Sequence, residues 1–127
     1  MKAITVRQPW ASAIIWGGKN VENRSWPTDY RGPLVIHAAK KLSPSFEVEF
    51  CKSLGIDYAE AAALRGHVLG MVDLVDCVEL DHEKVRGNKW AKGHWCWILK
   101  NPRPLAPVAC AGRLKLWDFA LAEAAAV

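Results

Sequence analysis

The sequence predicts an α+β fold, namely a small β-barrel of about five to six mixed strands with two or three peripheral helices. Segments in which apolar residues alternate with others recur along the chain, and they outnumber the segments with helical spacing. The length of 127 residues fits one domain with its own core, and no internal repeat or linker divides the chain. Each element can be justified in order.

The N-terminal part predicts a strand, a helix and an extended segment. Residues 2–7 alternate in hydrophobicity, which is typical of a strand. A short helix begins near Pro9, because proline is tolerated in the first helical turn, and the glycine pair at 17–18 ends it. Residues 22–26 are expected to be extended until the following proline stops them.

The middle of the chain predicts one strand followed by a helical hairpin. Residues 34–38 alternate and form the second clear strand. Ser43 and the proline after it are expected to begin a second helix. Asp57 and Glu60 have the spacing of a capping box, which predicts a third helix that ends at Leu64.

The C-terminal half predicts three strands. Residues 67–80 are apolar on both faces, which favours a long, bent barrel strand. Residues 83–93 are polar and basic and should form a loop, whereas residues 95–99 alternate as a strand does. The two prolines within residues 101–104 predict a turn or polyproline step, since prolines cannot fill a strand ladder. Residues 114–119 predict the last strand.

Composition limits the class of protein and its surroundings. Apolar residues make up 51% of the chain and charged residues 24%, which excludes wholesale disorder. The start of the chain lacks the pattern of a signal peptide, and no apolar stretch is long enough to cross a membrane. We therefore expect a soluble, cytoplasmic protein without a membrane partner.

Cysteine spacing argues against a metal site. The four cysteines are far apart and form no C-x-x-C pair, so free thiols are expected rather than disulfides or zinc ligands. The phosphate-binding, dinucleotide-binding, zinc-protease and serine-hydrolase motifs are also absent from the sequence. We therefore expect no metal and no cofactor, and any hydrolysis should be metal-independent.

Charge and tryptophan content point to a nucleic-acid ligand. The formal net charge is +4, which suits an anionic partner without identifying one. The chain also contains seven tryptophans, several of which stand beside basic residues. Because indoles stack on bases while cations neutralise phosphates, RNA or a nucleoside is the expected ligand.

The polar segment at residues 17–26 holds the candidate catalytic residues. Glu22, Arg24 and Trp26 should project to one side if this part is extended, because side chains alternate along a strand. Lys19 follows the glycine turn, where backbone amides are also available to an anion. Lys19, Glu22 and Arg24 are therefore candidate catalytic groups, and Trp26 is a candidate for stacking. Alternatively, Glu22 and Arg24 form a surface ion pair and Trp26 belongs to the core.

Other polar residues are candidate RNA contacts, each with a structural alternative. Arg7 and Gln8 end the first strand, where Gln8 offers an amide to a base edge or else caps the following helix. His37 is either an acid or base near Lys19 or a satisfied structural histidine.

A basic rim and further tryptophans complete the set of candidates. Arg31, Lys40 and Lys41 form either a phosphate-binding rim or a solvated basic surface. Trp95 and Trp90 lie in or near polar sequence, which makes them stacking candidates as well.

The motif Gly17-x-Lys19-x-x-Glu22-x-Arg24 resembles the G-x-K-x-x-E-x-R signature of the ASCH domain family, within the PUA-like superfamily. Other segments agree with the family in the same order along the chain, and the resemblance spans nearly all of it. These segments are VRQPWA at 6–11, YRGP at 30–33, IHA at 36–38, GHV at 66–68, NPR at 101–103 and GRLKLW at 112–117.

The resemblance implies a PUA-like β-barrel beside helices, with the signature residues in the floor of a cleft. It implies a domain over residues 1–120 and a C-terminal tail over 121–127, whose alanine-rich sequence should fray. It also implies work on RNA, since ASCH domains are proposed RNA binders and some members are reported to cleave RNA.

The resemblance also extends to a branch of the family that removes acyl groups from N4-acetylcytidine. That amidohydrolase branch looks to use a lysine, a threonine and a glutamate together. Lys19 matches that lysine, but Glu22 stands in the place of the threonine. Glu79 and Glu83 are candidates for the glutamate by region only.

Three function classes therefore follow from the sequence. The first is an RNA- or modified-nucleoside-binding module with a Lys/Glu/Arg/Trp cleft. The second is a metal-independent hydrolase that uses the same cleft, as a ribonuclease or an N4-acetylcytidine amidohydrolase. The third is a protein-interaction domain with a basic surface. The sequence leaves the oligomeric state open.

Overall fold

The structure is a computed structural model that describes residues 1–120. The predicted fraying of the alanine-rich tail at 121–127 lies outside the described residues. The strands are β1 (Lys2–Val6), β2 (Val21–Arg24), β3 (Gly32–Ala38), β4 (His67–Glu79), β5 (Trp95–Ala109) and β6 (Trp117–Asp118). The helices are α1 (Trp10–Trp16), α2 (Val48–Ser53) and α3 (Tyr58–Ala63), with one 3₁₀ turn at Glu83–Val85.

The strands form one mixed sheet of six strands in the order β2-β5-β4-β3-β1-β6. β1 and β3 are parallel, whereas the other neighbouring strands are antiparallel. The α+β class and the strand and helix numbers are as predicted, but the closed barrel is wrong. Within residues 1–120 the edge strands β2 and β6 do not pair with each other, so the sheet stays open. Alternation reports that one face of a strand is buried and carries no information on whether two edges meet.

Both faces of the sheet centre are buried. On one face α1 packs Ala11, Ile14 and Ile15 against alternate residues of β1 and β3. On the other face Val35 packs in a second cluster with Trp117 of β6 and with Phe119, which follows that strand. Because β3 is covered on both sides, its buried side chains are packed as closely as in an ordinary protein core.

The helical hairpin follows the prediction with one shift. α2 begins at Val48 rather than at Ser43, and residues 43–47 are not helical and contain a turn at residues 44–45. Asp57 caps α3 as the capping spacing predicts, since its carboxylate accepts a 2.9 Å hydrogen bond from the Glu60 amide. α3 ends at Ala63, one residue before the predicted end at Leu64, which is the C-cap.

β5 runs through the segment that was predicted to interrupt it. Pro102 and Pro104 lie within this strand of 15 residues. The pairing of β5 with β2 ends at Ile98, followed by one hydrogen bond from the Leu99 amide to the Asn20 carbonyl. At the two prolines the strand pairs with β4 alone, so its other edge needs no amide donors there. Asn101 has a positive φ of 53° at a shift of register, which accommodates the irregularity. The turn prediction is therefore wrong.

The last predicted strand is much shorter than expected, since β6 contains Trp117 and Asp118 only. Leu114 is 93% exposed and Lys115 has a positive φ of 58°, so the alternation of residues 114–116 does not reflect a sheet. Instead these residues form a connection whose side chains line a cavity.

The structure also shows the surroundings of the cysteines, the possible metal ligands and the lengths of the helices. No disulfide joins the four cysteines, all of which lie within residues 1–120, and burial raises the pKa of the Cys51 and Cys96 thiols. Within the described part of the chain no group of histidine, cysteine and carboxylate side chains is placed to hold a metal ion. Among residues 1–120 no helix is long and apolar enough to span a bilayer.

Candidate functional site

A cavity of about 840 Å³ opens beside β1 and β2. Its walls come from the strand ends, from α1 and α2, from the loop before β5 and from the connection after β5. The charged and aromatic side chains that line it are Arg7, Trp10, Lys19, Glu22, Arg24, Phe50, Lys89, Trp90, Lys92, Arg113 and Lys115. This cavity is the candidate site.

Lys19 enters the cavity because of the turn that ends α1. Gly18 has a φ of 76°, which lets the chain reverse, and the Lys19 amide donates to the Ala13 carbonyl at 3.0 Å. The side chain is consequently directed inward and is 4% exposed. Its ammonium group donates to the Val21 carbonyl.

Glu22 joins Lys19 and Arg24 in a chain of charges. Its Oε1 lies 3.3 Å from the Lys19 Nζ, and its Oε2 lies 2.9 Å from an Arg24 Nη2. The same Nη2 donates to the Thr5 carbonyl at 2.8 Å, which ties β2 to β1. The Arg24 Nε is buried and, among the described residues, has no hydrogen-bond partner. The predicted trio is therefore assembled in one place.

Trp26 does not join this trio. β2 ends at Arg24 and the chain bends at residues 25–26, so strand alternation no longer decides the direction of the side chain. The Trp26 ring packs edge-on against Trp97 at 4.8 Å, and its carbonyl accepts a hydrogen bond from the Trp97 indole. Trp26 is not among the residues that line the cavity. The core alternative therefore fits its position.

Two other indoles face the cavity. Trp10 packs edge-on against Phe50 at 5.5 Å, and the Lys19 ammonium lies 5.9 Å from the centre of its ring. Trp90 also lines the cavity, with the Lys89 ammonium 4.8 Å from its ring centre. Both rings are partly exposed, so each has surface available to a ligand.

Asn23 holds the loop that carries Trp90. Its side-chain nitrogen donates to the Trp90 carbonyl at 2.9 Å. Its side-chain oxygen accepts from the Lys92 and Gly93 amides at 2.9 and 3.1 Å. A side chain at position 93 would meet the Asn23 Cβ at 2.9 Å, so this close approach requires glycine. One side chain thus fixes the loop over the charged trio.

Two predicted contacts at the end of β1 differ in their position. Arg7 is exposed and lines the cavity. Gln8 is fully buried, and its amide nitrogen donates to Ser12 Oγ and to the Ala61 carbonyl. Its amide oxygen accepts from the Ser12 amide at 2.9 Å, which is the capping alternative. Gln8 is therefore not available to a base edge.

The predicted basic rim is divided. Arg31 lies outside the cavity, where its guanidinium bonds the Thr28 and Tyr30 carbonyls and approaches Asp76 at 3.5 Å. Lys40 lines a second, smaller cavity, whereas Lys41 is exposed and lines neither.

Trp95 also lies apart from the main cavity. It lines a shallow depression with Glu79, Leu80, Asp81 and His94. Glu79 is therefore near Trp95 rather than near Lys19, and Glu83 begins the exposed 3₁₀ turn. The structure does not bring either glutamate to the trio.

His37 is buried, with 1% of its surface exposed. Its Nε2 lies 2.8 Å from the Cys110 carbonyl and its Nδ1 lies 3.3 Å from the Thr5 hydroxyl. A carbonyl only accepts, so Nε2 carries the proton, and in the neutral ring the Thr5 hydroxyl donates to Nδ1. Burial lowers the pKa of His37, although hydrogen bonds to the Cys110 and Gly66 backbone oppose that shift. The histidine therefore fits its structural alternative.

The main cavity carries a strong excess of positive charge. Seven lysine and arginine side chains line it, whereas Glu22 is the one carboxylate among the described lining residues. Charges in a cleft with low-dielectric walls act more strongly than on an open surface. The arrangement therefore suits an anionic ligand with flat, apolar parts.

Five charged or amide residues that line the cavity were not selected as site residues from the sequence. Lys89 and Lys92 belong to the loop that was recognised as basic, so charge alone would have placed them near the site. Asn23 gave no signal, because its role depends on three contacts with a loop 67 to 70 residues away. Arg113 and Lys115 were hidden by an alternation that suggested a strand.

Comparisons with known proteins agree on one family. The family model described as the ASCH domain matches residues 4–109. Activating signal cointegrator 1 of Homo sapiens is 33% identical over 133 residues, which covers 91% of this chain and 22% of the relative. The Mus musculus protein of the same name is 29% identical over 129 residues, with the same coverage. This chain spans about a fifth of the length of these relatives.

A solved structure shows the same fold. The crystal structure of ASCH from Zymomonas mobilis matches with a TM-score of 0.61 at 16% identity. The match covers 96% of this chain and 89% of that chain. At this identity the match shows that the two chains share a fold, and it carries no argument about the side chains of the cavity.

Proposed function

Because the chain belongs to the ASCH domain family, we propose that its basic cavity binds single-stranded RNA. The observation that carries the proposal is the excess of seven cations over one carboxylate in a cavity that also contains two indole rings. Phosphates require cations and bases require flat apolar surfaces, and few ligands other than nucleic acids present both.

The buried trio supplies fixed donors at the base of the cavity. Glu22 holds Lys19 and Arg24 in position, so little side-chain freedom is lost when a ligand arrives. The Arg24 side chain is 22% exposed, against 4% for Lys19 and 10% for Glu22, so its guanidinium is the most accessible of the three charged groups. Arg24 is thus the member of the trio best suited to a phosphate or to a base carbonyl.

Trp90 is the proposed stacking residue in place of Trp26. Its ring is partly exposed, lines the cavity and has the Lys89 ammonium beside it. Base stacking on an aromatic side chain contributes about 1–3 kcal/mol per base. Trp90→Ala should therefore weaken RNA binding by about ten-fold. Trp26→Ala should instead lower thermal stability, because its ring packs on Trp97.

The test is fluorescence anisotropy at several salt concentrations, with a labelled single-stranded RNA of about 12 nucleotides. This RNA is longer than the cavity. If about three phosphates are contacted, the log–log slope of affinity against salt should be about −2. Replacing Lys89 and Lys92 together by alanine should make this slope less steep by about 0.7 for each lysine that contacts a phosphate.

The matched control replaces Lys52 and Lys100, which are exposed and line neither cavity. This variant has the same net charge as the first and should bind RNA as the native protein does. Equal losses in the two double variants would show that net charge, rather than the cavity, governs binding. An affinity that does not change with salt would contradict the proposal.

Hydrolysis in the same cavity is the second candidate. Lys19 and Glu22 provide an ammonium and a carboxylate 3.3 Å apart in the cavity, whereas the hydroxyl of Thr5, which also lines it, bonds His37 and Trp117 in this structure. The assay is incubation with labelled RNA and with N4-acetylcytidine, each with and without EDTA. Turnover that survives EDTA supports a metal-independent hydrolase.

Two variants of Lys19 separate catalysis from binding. If the lysine transfers a proton, Lys19→Ala and Lys19→Arg should both abolish turnover, since guanidinium does not release a proton near neutral pH. If it binds phosphate, Lys19→Arg should retain most of the function. Full activity in both variants would remove Lys19 from either role.

A further inference from the structure

A second cavity, of about 360 Å³, adjoins the first. Thr5, Ala39, Arg113 and Leu114 line both of them. The residues that line only the second are His37, Lys40, Ala111 and Gly112. The two cavities are therefore adjacent, and together they are called the groove, with Arg113 and Leu114 at their junction.

The dividing segment has an unusual composition for an exposed connection. Leu114 is 93% exposed at the junction, although exposure of an apolar side chain to water is unfavourable in free energy. Arg113 beside it is also exposed. A guanidinium can pair with a phosphodiester, and the apolar side chain beside it can contact a neighbouring base. The two residues at the junction of the cavities therefore suit a nucleotide strand.

The wall of the second cavity is held firmly in place. A side chain at position 112 would meet the Thr5 Oγ1 at 2.7 Å and the His37 Cε1 at 2.9 Å, so the connection lies directly against β1 and β3. The His37 Nε2 contact with the Cys110 carbonyl, at 2.8 Å, fixes the start of the same segment. The groove is thus present before any ligand binds.

Lys40 supplies the charge on the far side of the second cavity. Its aliphatic carbons lie over Gly66, where an added Cβ would be 3.2 Å from the Lys40 Cγ and Cε. The stem is therefore supported by the backbone, and the ammonium group at its end is a positioned cation rather than a freely moving one.

We propose that the two cavities are adjacent subsites for consecutive nucleotides of one RNA strand, with Arg113 contacting the phosphodiester between them. The inference rests on the proposed RNA-binding function. It adds that the ligand is an oligonucleotide of at least two residues and not a free nucleoside. The second subsite takes a nucleotide whose phosphate faces Lys40.

The test measures how well unlabelled ligands displace the labelled RNA. Mononucleotides are compared with dinucleotides and tetranucleotides of random sequence, so that base preference does not decide the outcome. We expect dinucleotides to compete about ten-fold more strongly than mononucleotides, as an added stacked and charge-paired nucleotide should.

Two variants address the second subsite alone. Lys40→Ala removes its cation and Ala111→Trp fills its space, and neither residue lines the first cavity. Both variants should bring the dinucleotide down to the strength of the mononucleotide, whose competition stays unchanged. Lys100→Ala, at an exposed lysine outside both cavities, should keep the full difference.

The possible results are distinguishable. Equal competition by mononucleotides and dinucleotides in the native protein overturns the second subsite and leaves RNA binding in the first cavity intact. A variant that weakens both ligands by the same factor also overturns it. If the labelled RNA does not bind at all, the proposed function fails together with this inference.

Discussion

Glu22 lies between two cations that would otherwise repel each other. Its carboxylate oxygens reach the Lys19 ammonium at 3.3 Å and the Arg24 guanidinium at 2.9 Å. The Lys19 and Glu22 side chains are 4% and 10% exposed, so solvent does little to screen the three charges. Glu22 is therefore needed to keep Lys19 inside the protein.

Replacing Glu22 tests this dependence. Glu22→Gln keeps the size of the side chain but leaves two neighbouring cations without their counter-charge. Removing one partner of a buried pair typically costs 3–5 kcal/mol, and because Arg24 is partly exposed we expect about 3 kcal/mol. Urea unfolding measures the loss. Asp118→Asn, at an exposed pair with Lys2, is the matched control and should leave the midpoint unchanged. Equal stability of the two variants would contradict the argument.

His37 links three parts of the fold through its ring. Its nitrogens contact Thr5 and Cys110, and the Trp117 ring lies edge-on at 5.6 Å. Because burial lowers its pKa in the folded state, the unfolded chain binds a proton more readily than the native protein does. The neutral ring therefore contributes stability above the unfolded pKa of 6.5, and this contribution is lost as the pH falls toward the folded pKa.

The prediction is a loss of stability on mild acidification. The free energy of unfolding should fall between pH 7.5 and 5.5 (about one unit on either side of the unfolded pKa). His37→Gln should show a weaker fall over the same range, although it is less stable throughout. His94→Gln, at an exposed histidine, should follow the native protein. Parallel pH profiles for the native protein and His37→Gln would contradict this assignment.

At the scale of elements, β2 matters as the support of a loop. Asn23 is in the middle of this four-residue strand and anchors the Trp90 carbonyl and the amides of Lys92 and Gly93. The strand itself is fixed by its antiparallel pairing with β5. A short edge strand thereby positions both the charged trio and the loop that faces it.

Removing the Asn23 side chain should release the loop without unfolding the sheet. Asn23→Ala leaves the Lys92 and Gly93 amides without their acceptor, so their hydrogen exchange should become at least ten-fold faster (a change of about 1.4 kcal/mol or more in local opening). RNA binding should weaken with it. Asn101→Ala, which removes a comparable bond to Asp73 outside the cavity, is the control. Unchanged exchange at both amides would show that Asn23 does not hold the loop.

At the scale of the whole molecule, the C-terminal strand closes the second core. The family model ends at residue 109. Trp117 and Phe119 lie after that residue, yet they are 8% and 4% exposed and pack against residues of β1 and β3. The Phe119 amide also donates to the Met1 carbonyl at 2.8 Å. We therefore propose that the folding unit is residues 1–120 and that 121–127 is a tail.

Two truncations test this boundary. A chain that ends at residue 120 should unfold at the same temperature as the full chain. A chain that ends at residue 116 loses both aromatic side chains, each of which is of a kind worth about 3–5 kcal/mol in a core. Since small domains have about 5–15 kcal/mol in total, this shorter chain should be largely unfolded by circular dichroism. A stable fold at 116 residues would place the boundary earlier.

Local pattern was sufficient for most elements. The alternation of Ile4 and Val6, and of Leu34 and Ile36, predicted two strands that do pair in parallel. The capping spacing at Asp57 predicted α3 with its hydrogen bond. The G-x-K-x-x-E-x-R spacing placed Lys19, Glu22 and Arg24 together, because Lys19 and Arg24 are only five positions apart in the chain.

The failures share one cause, since each depended on a partner distant in sequence. The open sheet depends on which edges meet, and Pro102 is tolerated in β5 because β2 does not extend that far. The connection that carries Arg113 alternates as a strand would, yet no neighbouring strand is available to it among the described residues.

The sequence by itself determined the family, the α+β class, the strands with buried faces and the charged trio. The family follows from motifs spread over nearly the whole chain, whereas the strands and the trio follow from spacing within a few residues, where the backbone sets the direction of each side chain. The tertiary structure alone decided that Trp90 rather than Trp26 faces the cavity, that Gln8 is buried and that two cavities adjoin at Arg113. Those outcomes depend on which distant segments pack together, and neither composition nor periodicity encodes that choice.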